Sequence, residues 1–150
     1  MAMVPTSCDN DDLGKPDKHF THSELAICGG TTIFRYPCME WGCTIAEVKV
    51  YMEGYEVEEE TESKLSYKGQ YYENGTIYSF MNGKLHSASL RIQEDKLPVP
   101  HKTFDAARLQ DYKYWYATVN GCYYVSKDHK TQLVSYFVPD EIFLSWSHNP

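Results

Sequence analysis

Residues 65–92 read LSYKGQYYENGTIYSFMNGKLHSASLRI, and two Asn-Gly dipeptides, Asn74-Gly75 and Asn82-Gly83, interrupt this stretch. Asn-Gly suits the two-residue turn of a β-hairpin because both central residues take a positive φ there. The segments that these turns would join are Leu65–Tyr72, Thr76–Phe80 and Lys84–Ile92. The stretch therefore predicts three antiparallel strands joined by two hairpins.

The C-terminal half repeats this signal. Asn120-Gly121 lies between an aromatic stretch and a second apolar run, and Pro139-Asp140 separates two more apolar runs. The strands predicted from these breaks are Tyr112–Val119, Cys122–Val125, Leu133–Val138 and Ile142–Trp146. Upstream, the apolar residues of Ala46–Met52 alternate with Glu47, Lys49 and Tyr51, which also predicts a strand. Between the two hairpin groups, Thr103 is expected to cap a short helix that contains Phe104.

We therefore predict a mainly β fold, with an α+β fold as second choice. The expected architecture is an antiparallel sandwich or barrel of about seven to nine short strands with one or two short helices. The chain has 150 residues, which suits one domain. Residues 1–19 are polar and broken by prolines, so they predict a flexible tail that precedes a single β-rich domain at 20–150.

The charge balance excludes several classes of partner. Fourteen basic residues against 21 acidic ones give a net charge of −7. Nucleic-acid binders and proteins of anionic membranes depend on clustered basic residues, and no apolar run has the roughly 20 residues that span a bilayer. We expect neither nucleic acid nor a membrane as partner. No metal-binding or nucleotide-binding motif is present, so no metal and no cofactor are expected.

The cysteines bear on the cellular compartment. In an oxidising compartment, two disulfides among Cys28, Cys38, Cys43 and Cys122 would leave Cys8 unpaired, and the pairing is open. In a reducing compartment, all five cysteines would be small buried hydrophobic residues. The triplet that starts at Asn74 is a glycosylation sequon and is compatible with secretion. We expect a secreted protein, and since residues 1–5 lack the features of a signal peptide, this chain would be its processed form.

A tyrosine-rich strand is the candidate binding site. In Tyr112–Val119, alternation places Trp115, Ala117 and Val119 on one face, which is expected to face the core. The opposite face would carry a stripe of tyrosines that continues onto the next strand: Tyr112, Tyr114, Tyr116, Tyr123 and Tyr124. Tyrosine is enriched at protein interfaces, since it combines a large contact area with a polar tip. The stripe predicts a protein-binding face, and a purely stabilising aromatic ladder is the alternative.

Two other functions remain open at this level. Glu94 and His101, with Arg91 and His86, could supply the acid, base and phosphate clamp of a metal-independent ribonuclease. A lipocalin-like barrel with an apolar cavity could carry a small molecule. The absence of a recognisable catalytic motif favours a protein that binds another protein and does not catalyse a reaction.

One short motif carries a family resemblance. Tyr36-Pro37-Cys38 matches the Tyr-x-Cys pattern near the mature N-terminus of small secreted effectors of cereal mildews and rusts. The chain also resembles that group in having one domain, 13 tyrosines and few cysteines. The resemblance implies a secreted virulence protein that binds host proteins or is recognised by plant immune receptors. It also implies a ribonuclease-like fold that lacks the catalytic residues.

Overall fold

The structure is a computed structural model that describes residues 25–109 and 112–149. These residues form ten strands, two α-helices and one turn of 3-10 helix at Glu94–Lys96. The strands are β1 Leu25–Cys28, β2 Thr31–Arg35, β3 Val57–Glu60, β4 Lys64–Lys68, β5 Glu73–Met81, β6 Lys84–Gln93, β7 Tyr112–Ala117, β8 Gly121–Ser126, β9 Thr131–Val138 and β10 Glu141–His148. The helices are α1 Ile45–Tyr51 and α2 His101–Arg108. The mainly β, antiparallel class is confirmed, whereas the predicted tail at 1–19 lies outside the described residues.

The strands form one large sheet and one small one. The large sheet has eight antiparallel strands in the order β3-β4-β5-β6-β10-β9-β8-β7, and β1 pairs with β2 in a separate hairpin. Within the described residues β3 and β7 are the two edges, so the sheet is open and does not form the barrel alternative. The carrier function, which depends on such a barrel, gains no support from this sheet.

The core lies on one face of the large sheet and has two parts. The β1–β2 hairpin and α2 cover one half, where Phe34 and Phe104 form a cluster with Trp146. The segment 38–52, which includes α1, covers the other half around the fully buried ring of Tyr78. The opposite face, called the outer face below, carries mostly half-buried and exposed side chains. Residues 25–109 and 112–149 thus leave one large face of the sheet accessible.

Helix α1 replaces the strand predicted for Ala46–Met52, so that prediction is wrong. The Thr44 hydroxyl accepts a hydrogen bond from the Glu47 backbone N–H at 3.2 Å, and the Glu47 carboxylate accepts one from the Thr44 N–H at 2.9 Å. This reciprocal capping box starts a helix. Helical spacing buries Val48 completely and leaves Val50 74% exposed, which a half-buried strand would not do.

The Asn82-Gly83 hairpin is confirmed. The two residues have φ values of 54° and 76°, as a primed two-residue turn requires. They connect Met81 of β5 to its pairing partner Lys84 of β6. This turn fixes the register of the two longest strands of the sheet.

The other two Asn-Gly dipeptides do not occupy the central positions of turns. Asn74-Gly75 lies inside β5, and residues 69–72 connect β4 to β5, so that predicted turn is wrong. Asn120-Gly121 does mark a hairpin, as predicted, but the turn is shifted by one residue. The Thr118 backbone N–H donates to the Gly121 carbonyl at 2.9 Å, which makes Val119 and Asn120 the turn residues.

The predicted short helix is confirmed as α2. It begins at His101 with Pro100 as its N-cap, which is three residues before the predicted cap Thr103. Proline suits the start of a helix because its missing N–H is not needed there. Phe104 is buried under the β1–β2 hairpin, as its apolar side chain predicts. His101 is therefore the first residue of the helix that covers this half of the core.

Candidate functional site

A bulge divides β7, the strand that carries the predicted tyrosine stripe. Tyr114 pairs with Tyr124 of β8, whereas Tyr116 pairs with Tyr123, and the register shifts between the two pairs. Trp115 is thus the extra residue of a β-bulge. Because consecutive residues of β8 point to opposite faces of the sheet, Tyr114 and Tyr116 lie on opposite faces too. The prediction that one face carries the whole stripe is therefore wrong.

Two of the five predicted binding tyrosines belong to the core. Tyr112 is 8% exposed, and its hydroxyl lies 3.9 Å from the Met39 sulfur. Tyr124 is half-buried and packs against the core cluster under α2. Tyr114 lies on the same side, edge-on to Tyr124, but remains 62% exposed. Tyr112 and Tyr124 are therefore occupied in packing, and Tyr114 is available for contact.

The residues predicted to face the core on this strand are exposed instead. Trp115 is 53% exposed, Val119 is 92% exposed and Ala117 is exposed as well. The whole segment 113–120 is exposed, so neither face of this part of the hairpin packs into the core. The alternation rule assigned Trp115 to the interior, but its exposed side chain belongs to the candidate binding surface.

The outer face continues this aromatic surface across three more strands. Tyr116 stacks on Tyr123 with ring centroids 4.7 Å apart. Tyr136 of β9 contacts Phe143 of β10 edge-on at 5.4 Å, and the Arg91 guanidinium lies 5.5 Å from the Phe143 ring. Tyr123, Tyr136 and Phe143 border a groove of about 820 Å³. Its polar lining consists of Ser89, Arg91, Asn120 and Ser145.

The two edges of the sheet differ in chemistry. Strand β3 reads Val-Glu-Glu-Glu and is exposed along its length, and ion pairs join Glu59 to Lys64 at 2.8 Å and Glu60 to Lys49 at 2.7 Å. Charged side chains on an edge strand discourage pairing with another chain. Strand β7, at the other edge, carries the aromatic residues Tyr114, Trp115 and Tyr116 in place of the three glutamates of β3. Edge β7 is therefore the less protected of the two.

The structure brings together two of the four residues proposed for ribonuclease chemistry. His101 Nδ1 lies 2.8 Å from Glu94 Oε2, and His101 Nε2 lies 3.2 Å from Asp105 Oδ2. The three side chains line a cleft of about 440 Å³. Both imidazole nitrogens contact carboxylates, so one of these contacts must open before His101 can reach a substrate. Asp105 is a member of this group that the sequence analysis missed.

The other two proposed nuclease residues lie elsewhere. Arg91 points to the outer face, where its Nε lies 3.4 Å from Glu141 Oε1. His86 lies on β6 seven residues before Gln93, the last residue of that strand. At about 3.3 Å per residue, His86 is roughly 23 Å along the strand from Gln93, and Glu94 follows Gln93 directly. The four residues therefore do not form one catalytic group.

The four disulfide candidates of the described chain are free thiols in this structure. Cys28 belongs to the core cluster under α2, whereas Cys38 and Cys43 belong to the cluster around α1. Cys122 is half-buried at the start of β8. Cys8 lies outside the described residues. The structure therefore brings Cys38 and Cys43 into one part of the core.

Asn74, the glycosylation candidate, is exposed on β5. Its side chain lines a small cleft of about 190 Å³ on the outer face, together with Arg91 and Phe143. A glycan at this position would lie on the outer face. Glycosylation of Asn74 remains a prediction.

Metal-binding groups, membrane-spanning helices and similarity to known proteins bear on function. Across 25–109 and 112–149, no three His, Cys, Asp or Glu side chains are grouped in a way that could hold a metal ion. In that same part of the chain, no helix is both long and apolar enough to cross a membrane. The chain matches no protein-family model, no curated protein and no solved structure. The residues of this chain and their geometry are therefore the basis for inferring its function.

Proposed function

We propose that this protein is non-catalytic and binds a partner protein at edge strand β7. The observation that carries the proposal is a run of three exposed aromatic side chains on an edge strand. Tyr114, Trp115 and Tyr116 are 62%, 53% and 42% exposed. Tyrosine and tryptophan are the residues most often found as energetic anchors of protein interfaces.

The backbone of β7 adds a second reason. Within the described sheet, β7 pairs on one side with β8, and its other side is an edge. An extended segment of a partner can hydrogen-bond to such an edge while its side chains contact the aromatic rings. The Trp115 bulge presents Tyr114 to one face and Tyr116 to the other, so aromatic contacts are available on both sides of an added strand.

The Tyr-x-Cys resemblance supplies the proposed setting. It supports a secreted virulence effector whose partner is a host protein or an immune receptor of a plant. The exposed sequon at Asn74 is compatible with passage through a secretory pathway. Secretion and the host partner are both parts of this proposal.

Site-specific crosslinking tests the proposed surface. A photoreactive benzoylphenylalanine is placed at Tyr114 on β7 or, as matched control, at Val57 on β3, which is 43% exposed. Each protein is irradiated in plant-cell extract, and the crosslinked partners are identified by mass spectrometry. We expect a partner that crosslinks from position 114 and is absent from the products of position 57. Identical products from the two positions would contradict the proposal.

Affinity measurements with the purified partner complete the test. The variant Tyr114→Ala/Trp115→Ala/Tyr116→Ala is expected to lose affinity roughly tenfold or more. The control variant Tyr71→Ala/Tyr72→Ala removes two tyrosines of similar exposure, 42% and 38%, from the β4–β5 turn. It is expected to bind like the wild type. Unchanged affinity in the folded β7 variant would show that the binding site lies elsewhere.

A metal-independent ribonuclease is the second candidate. The 2.8 Å contact between Glu94 and His101 in a cleft is the observation that favours it. RNA cleavage by the wild type and by His101→Ala, measured on folded protein in the presence of a chelator, separates the two candidates. A rate that falls with His101→Ala would support the ribonuclease, and equal background rates would remove it.

A further inference from the structure

Cys38 and Cys43 are two buried thiols in contact. They are 4% and 7% exposed, and the Cys43 thiol is in hydrogen-bonding contact with the Cys38 thiol. Both belong to the core cluster that α1 forms with β4, β5 and β6. Four residues separate them in sequence. The pair therefore combines proximity along the chain with side-chain contact in the fold.

Hydrogen bonds of backbone groups to strands β5 and β6 hold both ends of the loop 38–43 on the sheet. The Cys38 N–H donates to the Tyr78 hydroxyl at 2.9 Å. At the other end, the Gly42 N–H donates to the Leu85 carbonyl at 2.9 Å, and the Leu85 N–H donates to the Cys43 carbonyl at 2.8 Å. A disulfide needs two cysteines whose side chains lie close together, and this loop already holds both thiols in one core cluster.

We propose that Cys38 and Cys43 form a disulfide when this chain folds in an oxidising compartment that supplies a small disulfide such as oxidised glutathione. One cysteine thiolate attacks the glutathione disulfide and releases one glutathione as a mixed disulfide forms on the protein. The second cysteine thiolate then attacks that mixed disulfide and releases the second glutathione. Two protein thiols are oxidised, one glutathione disulfide is reduced to two thiols, and the two protons of the cysteines pass to these products.

The crosslink would close the segment that connects the two parts of the core. Within that segment, the Trp41 ring packs against both core clusters, and its Nε1 donates to the Thr131 hydroxyl at 3.0 Å. Thr44, the N-cap of α1, follows Cys43 directly. A bond between Cys38 and Cys43 therefore fixes the placement of Trp41 and the start of α1 together.

The order of folding and oxidation follows from burial. Hydrogen bonding to Cys38 and burial raise the pKa of the Cys43 thiol well above its ordinary value of 9.0. A thiol that stays protonated is a poor nucleophile. We therefore expect fast oxidation while the chain folds and slow oxidation of the folded, reduced protein.

Refolding under oxidising conditions tests the pairing. The full chain is refolded with reduced and oxidised glutathione, free thiols are alkylated, and intact mass and peptide maps are recorded. We expect a wild type that is alkylated at three of its five cysteines, with a loss of about two mass units relative to the reduced chain plus three alkyl groups, and a peptide that links Cys38 to Cys43. Cys38→Ser and Cys43→Ser are expected to abolish this loss, whereas Cys8→Ser and Cys28→Ser retain it. A wild type that refolds without the linked peptide would overturn the proposal, as would loss of that peptide in Cys28→Ser.

Thermal unfolding supplies a second measurement that does not depend on the serine variants. The oxidised wild type is expected to unfold at a Tm roughly 5 °C above that of the same sample treated with reductant. Cys43→Ala should show the same Tm with and without reductant. An oxidised protein whose Tm does not respond to reductant would contradict a crosslink at this place. Both outcomes are independent of binding at β7.

Discussion

The phenol rings of Tyr116 and Tyr123 stack face to face across the pairing of β7 with β8, with centroids 4.7 Å apart and 8° between the ring planes. Tyr114, two residues earlier, contacts Tyr124 on the other face of the sheet, with ring centroids 5.7 Å apart. Two tyrosines that a regular strand would place side by side thus form separate pairs. The Trp115 bulge is the structural cause.

This arrangement predicts which tyrosines are energetically coupled. A double-mutant cycle with Tyr116→Ala and Tyr123→Ala, measured by urea unfolding, should give a coupling energy of about 0.5–1 kcal/mol, since stacked rings gain that much beyond burial. The matched cycle with Tyr114→Ala and Tyr123→Ala should give a coupling energy near zero, because these rings lie on opposite faces. A larger coupling in the second cycle would mean that β7 has no bulge at Trp115.

The fold class and several hairpins could be predicted from local sequence because their signals are local. Asn82-Gly83 forces a turn whose geometry is a property of the dipeptide itself, and the structure has that turn. The bulge at Trp115 has no such signal, since Tyr112–Val119 alternates regularly in sequence. Alternation therefore assigned Trp115 to the core, and the shift of register placed it on the surface.

Helix α1 shows a different source of error. Apolar residues at positions 46, 48, 50 and 52 fit a strand, but Thr44 and Glu47 form the Thr-x-x-Glu signature of a capping box. That signature was readable and would have favoured a helix. The candidate site was predictable in part: Tyr114, Tyr116 and Tyr123 remain accessible. Tyr136 and Phe143 were missed because their proximity depends on the pairing of β9 with β10.

The capping box is expected to stabilise the protein measurably. Thr44→Ala removes the acceptor for the Glu47 N–H and should lower the free energy of unfolding by about 1 kcal/mol. Thr44→Ser keeps a hydroxyl and should cost less than half of that. Denaturant unfolding of both variants gives the comparison. Equal losses in the two variants would show that the methyl group of Thr44, and not its hydroxyl, is the stabilising part.

The turn between β8 and β9 depends on one buried hydroxyl. Ser126 is 4% exposed; its Oγ donates to Asp128 Oδ1 at 2.6 Å and accepts from the Thr131 N–H at 3.0 Å. Ser126→Ala leaves the completely buried Thr131 N–H without this acceptor and should cost about 1–3 kcal/mol of unfolding free energy. Ser147→Ala, at a half-buried position of the outer face, should change that free energy by less than about 0.5 kcal/mol. Similar losses in both variants would contradict the role of the Ser126 hydroxyl.

Glu73 makes stability depend on pH above 4.5. It is 5% exposed, and its Oε1 accepts a hydrogen bond from the Tyr71 N–H at 2.7 Å. Burial raises the pKa of the Glu73 carboxyl above its ordinary value of 4.5, more than the backbone N–H donors, such as that of Tyr71, lower it. Between 4.5 and the raised pKa, the folded protein therefore binds more protons at this site than the unfolded chain does.

Because the folded state holds the extra proton, the contribution of Glu73 to stability decreases as the pH rises from about 4.5 through the raised pKa. Glu73→Gln keeps an oxygen that can accept the Tyr71 N–H and carries no charge at any pH. The unfolding free energy of the wild type, minus that of Glu73→Gln, should therefore fall as the pH increases from 4.5 to 7.5. Urea unfolding of both proteins at matched pH values measures this difference, and the other titrating groups largely cancel in it. A difference that stays constant or rises with pH would show that Glu73 has no raised pKa in the folded protein.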